Sequence, residues 1–503
     1  MMEGIASAFS WPYFALSVTV YFLTLAFYRL FLHPLSRVPG PKLAAISRWY
    51  EAYWDVIHNG QYTFKIAELH KRYGPIIRIS PYELHINDPD FFDQLYRQDG
   101  VWDKYDWAVN AFATYGALLF TTQHELHKAR RQPLNAYFSK SRVSSRQSVI
   151  NRHMDKLCDR ISAFAESHRT FNLGAAITAA VRDVAFDFIL DKNYRSLDKD
   201  DFDEPMVMAS SGSGQVWRVS KHMRFIAPIL RAVPIDWIIK YGNHGTKLFF
   251  RFLKECLEDT RKLVDSVKSS SPDQSNEASI VHEILKSKLP ALEKTTDRIF
   301  DDVSTITGAG FETTAGALRV ALFHVFDNPE ILQRLRTELA TVDSRDLKVL
   351  EQLPYLKAVL MEGLRISPAL GTRMARIAPD RDLFYKHWRI PAGTPVGMTL
   401  VLLHADETVY PEPRIFNPDR WLSHDGEHKL DRAFAPFLRG TRACLGMHLA
   451  WAELYLLLSG LVDRFDFHYL NSRAEDFECN SDQFAIGTKG KGVLEATVSV
   501  RNS

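Results

Sequence analysis

The stretch FLRGTRACLG, residues 437–446, places a cysteine among glycines, arginines and apolar residues. The chain has only four cysteines, Cys158, Cys256, Cys444 and Cys479, so a sulfur at 444 is a marked choice. A thiolate is a strong, soft ligand for iron, and backbone donors with nearby positive charge lower its pKa. An apolar helix beginning near Leu445 would direct its positive end at that sulfur. Gly440 and Gly446 permit tight turns close to a bound group. Phe437 can pack over the sulfur, and Arg442 can pair with an anionic substituent of a cofactor. Taken alone, the loop leaves open an inert buried cysteine, a disulfide half, a nucleophile or a ligand.

Three other constellations carry chemistry. The segment Thr295–Asn328 has the periodicity of a single long helix. Gly308 and Gly310 weaken its middle by about 1 kcal/mol each relative to alanine. Glu312, Thr313 and Thr314 follow at once, which suggests a large group pressed against the backbone there. Glu362 and Arg365 stand one helical turn apart, a spacing at which opposite charges meet. In HELHKARRQPLNAYFSK, His127 and Arg131 are four apart and so share a face, while Lys128 and Arg130 read as a solvated basic face.

The elements that must position these residues are mostly helical. Residues 140–370 carry helical periodicity, and strand-like runs are short: PIIRIS and ELHIN early, WRIPAGTPVGM late. Hydrophobic residues make up 46% of the 503, ample for a large core. The net charge of +2 excludes a strongly basic nucleic-acid binder. The wide cysteine spacing fits a reducing compartment and neither a zinc ribbon nor a disulfide framework. Residues 269–278 (SSSPDQSNEA) read as an exposed loop.

From Gly4 to Tyr28 no residue is charged, a run long enough to cross a bilayer core. Arg29, Arg37 and Lys42 follow it, which places the bulk of the chain in the cytoplasm. Residues 1–33 are thus expected to be a membrane anchor. Residues 34–42, rich in proline, form a stiff hinge, and 34–503 form one catalytic domain.

Phe437, Gly440, Arg442, Cys444 and Gly446 match the F-x-x-G-x-R-x-C-x-G loop of the cytochrome P450 family, which the chain resembles over its whole length. AGFETT (309–314) resembles the family's oxygen-activation segment, EGLR its E-x-x-R, and FNPDRW supplies Arg420. The wording also resembles the fungal branch typified by trichodiene oxygenase. The resemblance implies a mainly α fold with a minor β region, haem b with iron held by Cys444, and propionates near His127, Arg131, Arg442 and Arg376 or Arg373. It implies proton delivery by Glu312 and Thr313, and a structural ion triad of Glu362, Arg365 and Arg420. Trp102, Trp107, Phe112, Ala309, Leu370, Phe484 and Ile486 fall in regions that line the substrate pocket in relatives. The implied reaction inserts one atom of O2 into an apolar small molecule, such as a fungal terpenoid. Desaturation, ring formation, rearrangement, a polyketide or alkaloid scaffold, and a tethered haem sensor or electron carrier are the alternatives. The chain has no flavin or nicotinamide segment, so NADPH-derived electrons are expected from a separate cytochrome P450 reductase, for which Lys128 and Arg130 would form part of the docking face. A monomer in the endoplasmic reticulum membrane is expected.

Overall fold

The structure is a computed structural model that describes residues 11–269, 279–422, 430 and 432–501. Most of the loop expected at 269–278 and the first ten residues of the anchor lie outside the described residues. Helix α1, Trp11–Phe27, runs on into a π-helical turn over Tyr28–Leu32, and neither has a buried residue. The span Trp11–Leu32 has a mean hydropathy of 1.7, and an apolar helix with no protein against it is compatible with a membrane anchor. Its exit is fixed: Arg29 donates to the Ile46 carbonyl at 2.5 Å and to the Tyr82 hydroxyl at 2.8 Å. The proline-rich segment docks on the body, where the Pro39 carbonyl accepts from Arg78 N–H at 2.7 Å.

Six further helices position the site: α2, His124–Tyr137; α3, Leu173–Leu190; α4, Ser213–His222; α5, Thr296–Asp327; α6, Pro354–Ile366; and α7, Met447–Arg464. Every residue of α3 is buried. Its sequence, LGAAITAAVRDVAFDFIL, is mostly apolar, and its alanines allow close approach to α5. Its three charged residues are satisfied: Arg182 by Asp203 at 2.6 Å, Asp183 by the N–H groups of Ser196 and Leu197, and Asp187 by His153 at 2.8 Å. Helix α5 is continuous over 32 residues despite Gly308, Gly310 and Gly316, and it packs on α3, α6 and α7. It ends where Asn328 caps the next helix, whose first residue is Pro329.

The main sheet has the order β1-β2-β5-β4-β3, with β1 Ile76–Arg78, β2 Leu84–Ile86, β3 Asp103–Lys104, β4 Arg376–Ile377 and β5 Val396–Gly397. Only the β2–β5 pairing in it is parallel. Near the C-terminus β6, Cys479–Gln483, and β7, Ala485–Thr488, form a hairpin turning at Phe484, whose φ is +75°. That turn is stitched to the chain before β4, because Gly371 N–H donates to the Phe484 carbonyl at 3.0 Å and Ile486 N–H to Ala369 at 2.9 Å.

Candidate active site

Cys444 lies between a 3-10 turn, Gly440–Arg442, and the start of α7, and its backbone N–H closes the loop on the Phe437 carbonyl at 2.9 Å. Burial pushes its thiol up, while the Gly446 N–H and Arg131 pull it down. The residue is nevertheless accessible, unlike Cys158 and Cys256, which are buried. A Cβ placed on Gly446 would meet nothing within 4 Å. Gly440 has a different reason. Its φ is +75°, and a Cβ there would come 2.5 Å from the Arg97 carbonyl oxygen, so this glycine makes room for backbone. Phe437 packs with Trp451 of α7, the ring centroids 5.9 Å apart.

Around the loop the fold gathers cations. Lys104 and Arg376 stand directly opposite in the β3–β4 pairing, an arrangement that is unfavourable unless an anion lies between or beside them. His127 is buried, and desolvation followed by Arg442, Lys104, Arg131 and Arg376 pushes its pKa down to about 2. Arg442 donates to the carbonyls of Thr121 (2.6 Å) and Thr122 (2.7 Å), and Arg131 to that of Ala443 (2.7 Å). Arg376 Nη2 and Arg442 Nε are buried without a partner. The nearby acid, Asp103, already accepts from His124 N–H at 2.7 Å. Four cationic side chains, Lys104, Arg131, Arg376 and Arg442, beside the neutral His127 and with unspent donors on Arg376 and Arg442, fit a group carrying carboxylates. Lys104 has no signal in its local sequence; only strand register brings it to Arg376. Of the two candidate arginines, Arg373 is drawn elsewhere, donating to Glu83 and Glu51 at 2.7 Å each.

On α5, Gly308 and Ala309 are exposed in the middle of a helix otherwise mostly buried, and a Cβ on Gly308 would again meet nothing within 4 Å. Thr313 Oγ1 donates to the Ala309 carbonyl at 2.9 Å. Glu312 is not free beside it: Oε1 accepts from Arg319 at 2.7 Å, and Oε2 is buried without a partner.

Glu362 collects both arginines expected with it, Arg365 at 2.7 Å and Arg420 at 3.0 Å, and also accepts from Asn417 N–H and the Trp421 indole at 2.9 Å each. The basic face expected on α2 is reduced to Lys128. Arg130 is buried in a two-point pair with Glu293 at 2.7 and 2.9 Å, since a guanidinium withdrawn from water needs a carboxylate. Arg439 pairs with Asp93 at 2.6 Å. Among the residues expected in the pocket, Trp107 and Phe484 line a cavity, and Phe112 stacks on Phe120 and meets Phe484 edge-on. Leu370 bridges to Ala485, which puts it and Ile486 beside the hairpin turn. Trp102 stands apart: it is buried in the core, with its indole N–H on the Asp99 carbonyl at 2.8 Å and Arg381 against its ring.

A long helix carrying an acid and an alcohol, packed on the helix that follows a cysteine loop flanked by cations, is the arrangement of a haem-thiolate oxygenase. The cytochrome P450 family profile matches residues 49–494. The chain is 39% identical over 453 residues to cytochrome P450 monooxygenase tpcC of Cochliobolus heterostrophus, covering 88% of this chain and 85% of that one. It is 36% identical over 497 residues to N-acetyltryptophan 6-hydroxylase ivoC of Emericella nidulans, covering 96% of each. Tryptophan 6-hydroxylase fscE of Fusarium equiseti is 35% identical, over 92% of this chain and 91% of its own. Among solved structures, the retinoic acid-bound cyanobacterial CYP120A1 superposes with a TM-score of 0.70 at 19% identity, covering 92% of this chain and 99% of that one, a likeness of fold. The chain belongs to the cytochrome P450 family. It is a monooxygenase whose cofactor is haem with cysteine-ligated iron.

Proposed function

We propose that the chain inserts one atom of O2 into a small, largely apolar molecule, a fungal secondary metabolite such as a terpenoid. Electrons come from NADPH through a separate cytochrome P450 reductase. The observation that supports this best is the accessible Cys444, the one cysteine among the four at a helix N-terminus, beside Arg131 and the cluster it forms with Lys104, Arg376 and Arg442. Haem, when bound, supplies the oxidation itself.

The chain's residues do the rest. The Cys444 thiolate would hold the haem iron, itself stabilised by the Gly446 N–H, the positive end of α7 and Arg131. Lys104, His127, Arg131, Arg376 and Arg442 receive the haem carboxylates. Ala309 and Gly308 leave the middle of α5 open on that side. Thr313 and Glu312 would be the proton donors on that side, the Thr313 hydroxyl once turned from the Ala309 carbonyl and the Glu312 carboxyl once released from Arg319. Trp11–Leu32 anchors a monomer in the endoplasmic reticulum membrane, with the catalytic domain on the cytoplasmic side. A second reading, hydroxylation of an indole ring, is favoured by the similarity to two tryptophan-type 6-hydroxylases.

The test is expression in membranes with a reductase, followed by a reduced carbon-monoxide spectrum and product analysis with and without reductase. A thiolate-type Soret band and a product heavier by one oxygen are expected. A haem lacking the thiolate band overturns the assignment of Cys444, and a product of unchanged oxygen content overturns the insertion.

A further inference from the structure

The anchor helix ends in positive charge that no acid balances. Arg29, in the π-helical turn, donates to two neutral oxygens, the Ile46 carbonyl and the Tyr82 hydroxyl. Arg78 of β1 is buried, and it donates to the Arg29 carbonyl at 2.7 Å and the Pro81 carbonyl at 2.8 Å. It thus caps the end of the helix, where the dipole supplies about half a negative charge against two positive ones. The charged neighbours that act on Arg78 are Arg29, Tyr82 and Tyr28, with no carboxylate among them. Burial and Arg29 bring its pKa down to about 10, so it keeps its charge at pH 7.

Donors also remain unspent there. The Leu35 N–H donates to His33 Nδ1 at 3.1 Å, and burial followed by Arg78 and Arg29 lowers the His33 pKa to about 4. The ring is therefore neutral at pH 7 with its proton on Nε2, and that N–H has no acceptor among the described residues. The Tyr82 hydroxyl accepts from Arg29 and its own proton is unspent in the same way, while Arg29 Nε is buried without a partner. His33 and Arg29 lie 5.8 and 5.3 Å from the centre of the Tyr82 ring, so these donors sit together. The span Trp11–Leu32 has 22 residues, about 33 Å of helix against a hydrocarbon core of about 30 Å. Arg29, near its end, lies at the level of the lipid phosphates.

We propose that Arg29, His33 and Tyr82, with Arg78 behind them, bind the phosphate of an anionic phospholipid in the cytoplasmic leaflet; this rests on Trp11–Leu32 being the anchor. A phosphate offers several oxygens to converging donors and brings the negative charge that the two arginines lack. A choline headgroup carries a cation of its own, which two unbalanced guanidiniums repel. Phosphatidic acid carries none, and a phosphomonoester has about −1.5 to −2 charges, close to the opposite of the site's. Because Arg78 belongs to β1, a lipid held here also fixes the main sheet against the membrane.

The test is titration of the full-length holoenzyme, in a non-ionic detergent, with dioctanoyl phosphatidic acid, dioctanoyl phosphatidylcholine or inorganic phosphate, bound lipid being counted by native mass spectrometry. One phosphatidic acid should be retained per chain, about tenfold more tightly than phosphatidylcholine, an amount two arginines at a membrane surface can supply. Inorganic phosphate at the same concentration should not displace it. Arg29→Gln should remove most of the preference. Tyr82→Phe, which keeps the ring, should remove part of it and serves if Arg29→Gln does not fold. Arg37→Gln, on the exposed hinge, removes the same charge as Arg29→Gln and should leave the preference intact. Alkaline extraction of the expressed chain from membranes judges the anchor separately: release sinks the anchor and this site with it, whereas retention without a lipid preference overturns this site alone. Equal affinity for the two lipids, displacement by inorganic phosphate, an equal loss in Arg37→Gln, or a preference unchanged in the folded Arg29→Gln or Tyr82→Phe protein would each overturn the proposal.

Discussion

Arg319 Nη2 stands 2.7 Å from Glu312 Oε1, joining two residues two turns apart on α5, and Arg319 Nη1 donates to the Thr178 hydroxyl of α3 at 2.6 Å. The acid next to Thr313 is therefore held by a buried guanidinium that is itself tied to a second helix. Proton delivery by Glu312 requires that contact to open, so Arg319 sets how readily the acid can move.

Glu312→Gln keeps an acceptor for Arg319 but cannot carry the proton. Product formed per NADPH consumed should fall several-fold while the haem-thiolate spectrum is retained. Thr313→Ala should uncouple in the same way, with peroxide appearing in place of product. Tight coupling in both variants would remove the pair from proton delivery.

Cys444→Ala removes the proposed iron ligand and leaves the cation cluster in place. The expected outcome is loss of the thiolate-type band, with or without residual haem. A retained band would assign the ligand to another cysteine; Cys158 and Cys256 are buried, and burial raises the thiol of each.

Glu362 is fully buried and accepts from two arginines, an indole and a backbone N–H. Glu362→Ala strands Arg365 and Arg420, a loss of about 3–5 kcal/mol. Thermal denaturation and holoenzyme yield measure it, and Glu362→Gln should lose less. A melting temperature equal to the parent's would show that the triad adds nothing to stability.

His404 is buried between the Arg365 carbonyl, 3.1 Å from Nδ1, and the Ala435 N–H, which donates to Nε2 at 3.1 Å. That pattern fixes one neutral tautomer, and burial with Arg365 nearby lowers its pKa to about 3. The unfolded chain takes up a proton below about pH 6.5 and the folded one does not, so stability falls with pH between about 6.5 and 3. From pH 7 to pH 5 this residue should account for about 2 kcal/mol. Denaturant midpoints at the two pH values, compared with those of His404→Gln, isolate its share; identical pH slopes would refute it.

Gly440→Ala meets both a left-handed φ and the Arg97 carbonyl. The loop that carries Cys444 must shift, so haem retention on dilution should drop markedly. Gly446→Ala has open space at its Cβ and φ −86°, and should lower the melting temperature of the haem-free protein less than Gly440→Ala does. The reverse order would mean that Gly440 tolerates its contact.

Much of the site was legible because its parts are local. The cysteine loop, the glycine–acid–alcohol run of α5 and the Glu362–Arg365 spacing each lie within a few residues, where side-chain type and helical period settle what can meet. Arg130 misled for the same reason: from its own helix it looks solvated, and Glu293, far along the chain, buries it. Trp102 resembled a pocket aromatic, but its neighbours are core residues from distant segments.

The sequence by itself determined the helical class, the apolar N-terminal span and the sulfur loop, which follow from periodicity and short motifs, and the haem chemistry through its resemblance to the family. Only the tertiary structure decided that Lys104 joins the cation cluster, that Arg376 rather than Arg373 faces it, and that Glu312 is tied to Arg319. Each of these depends on strand register or on contacts between residues dozens to hundreds of positions apart, or on which way a long side chain turns, and local sequence carries no record of either.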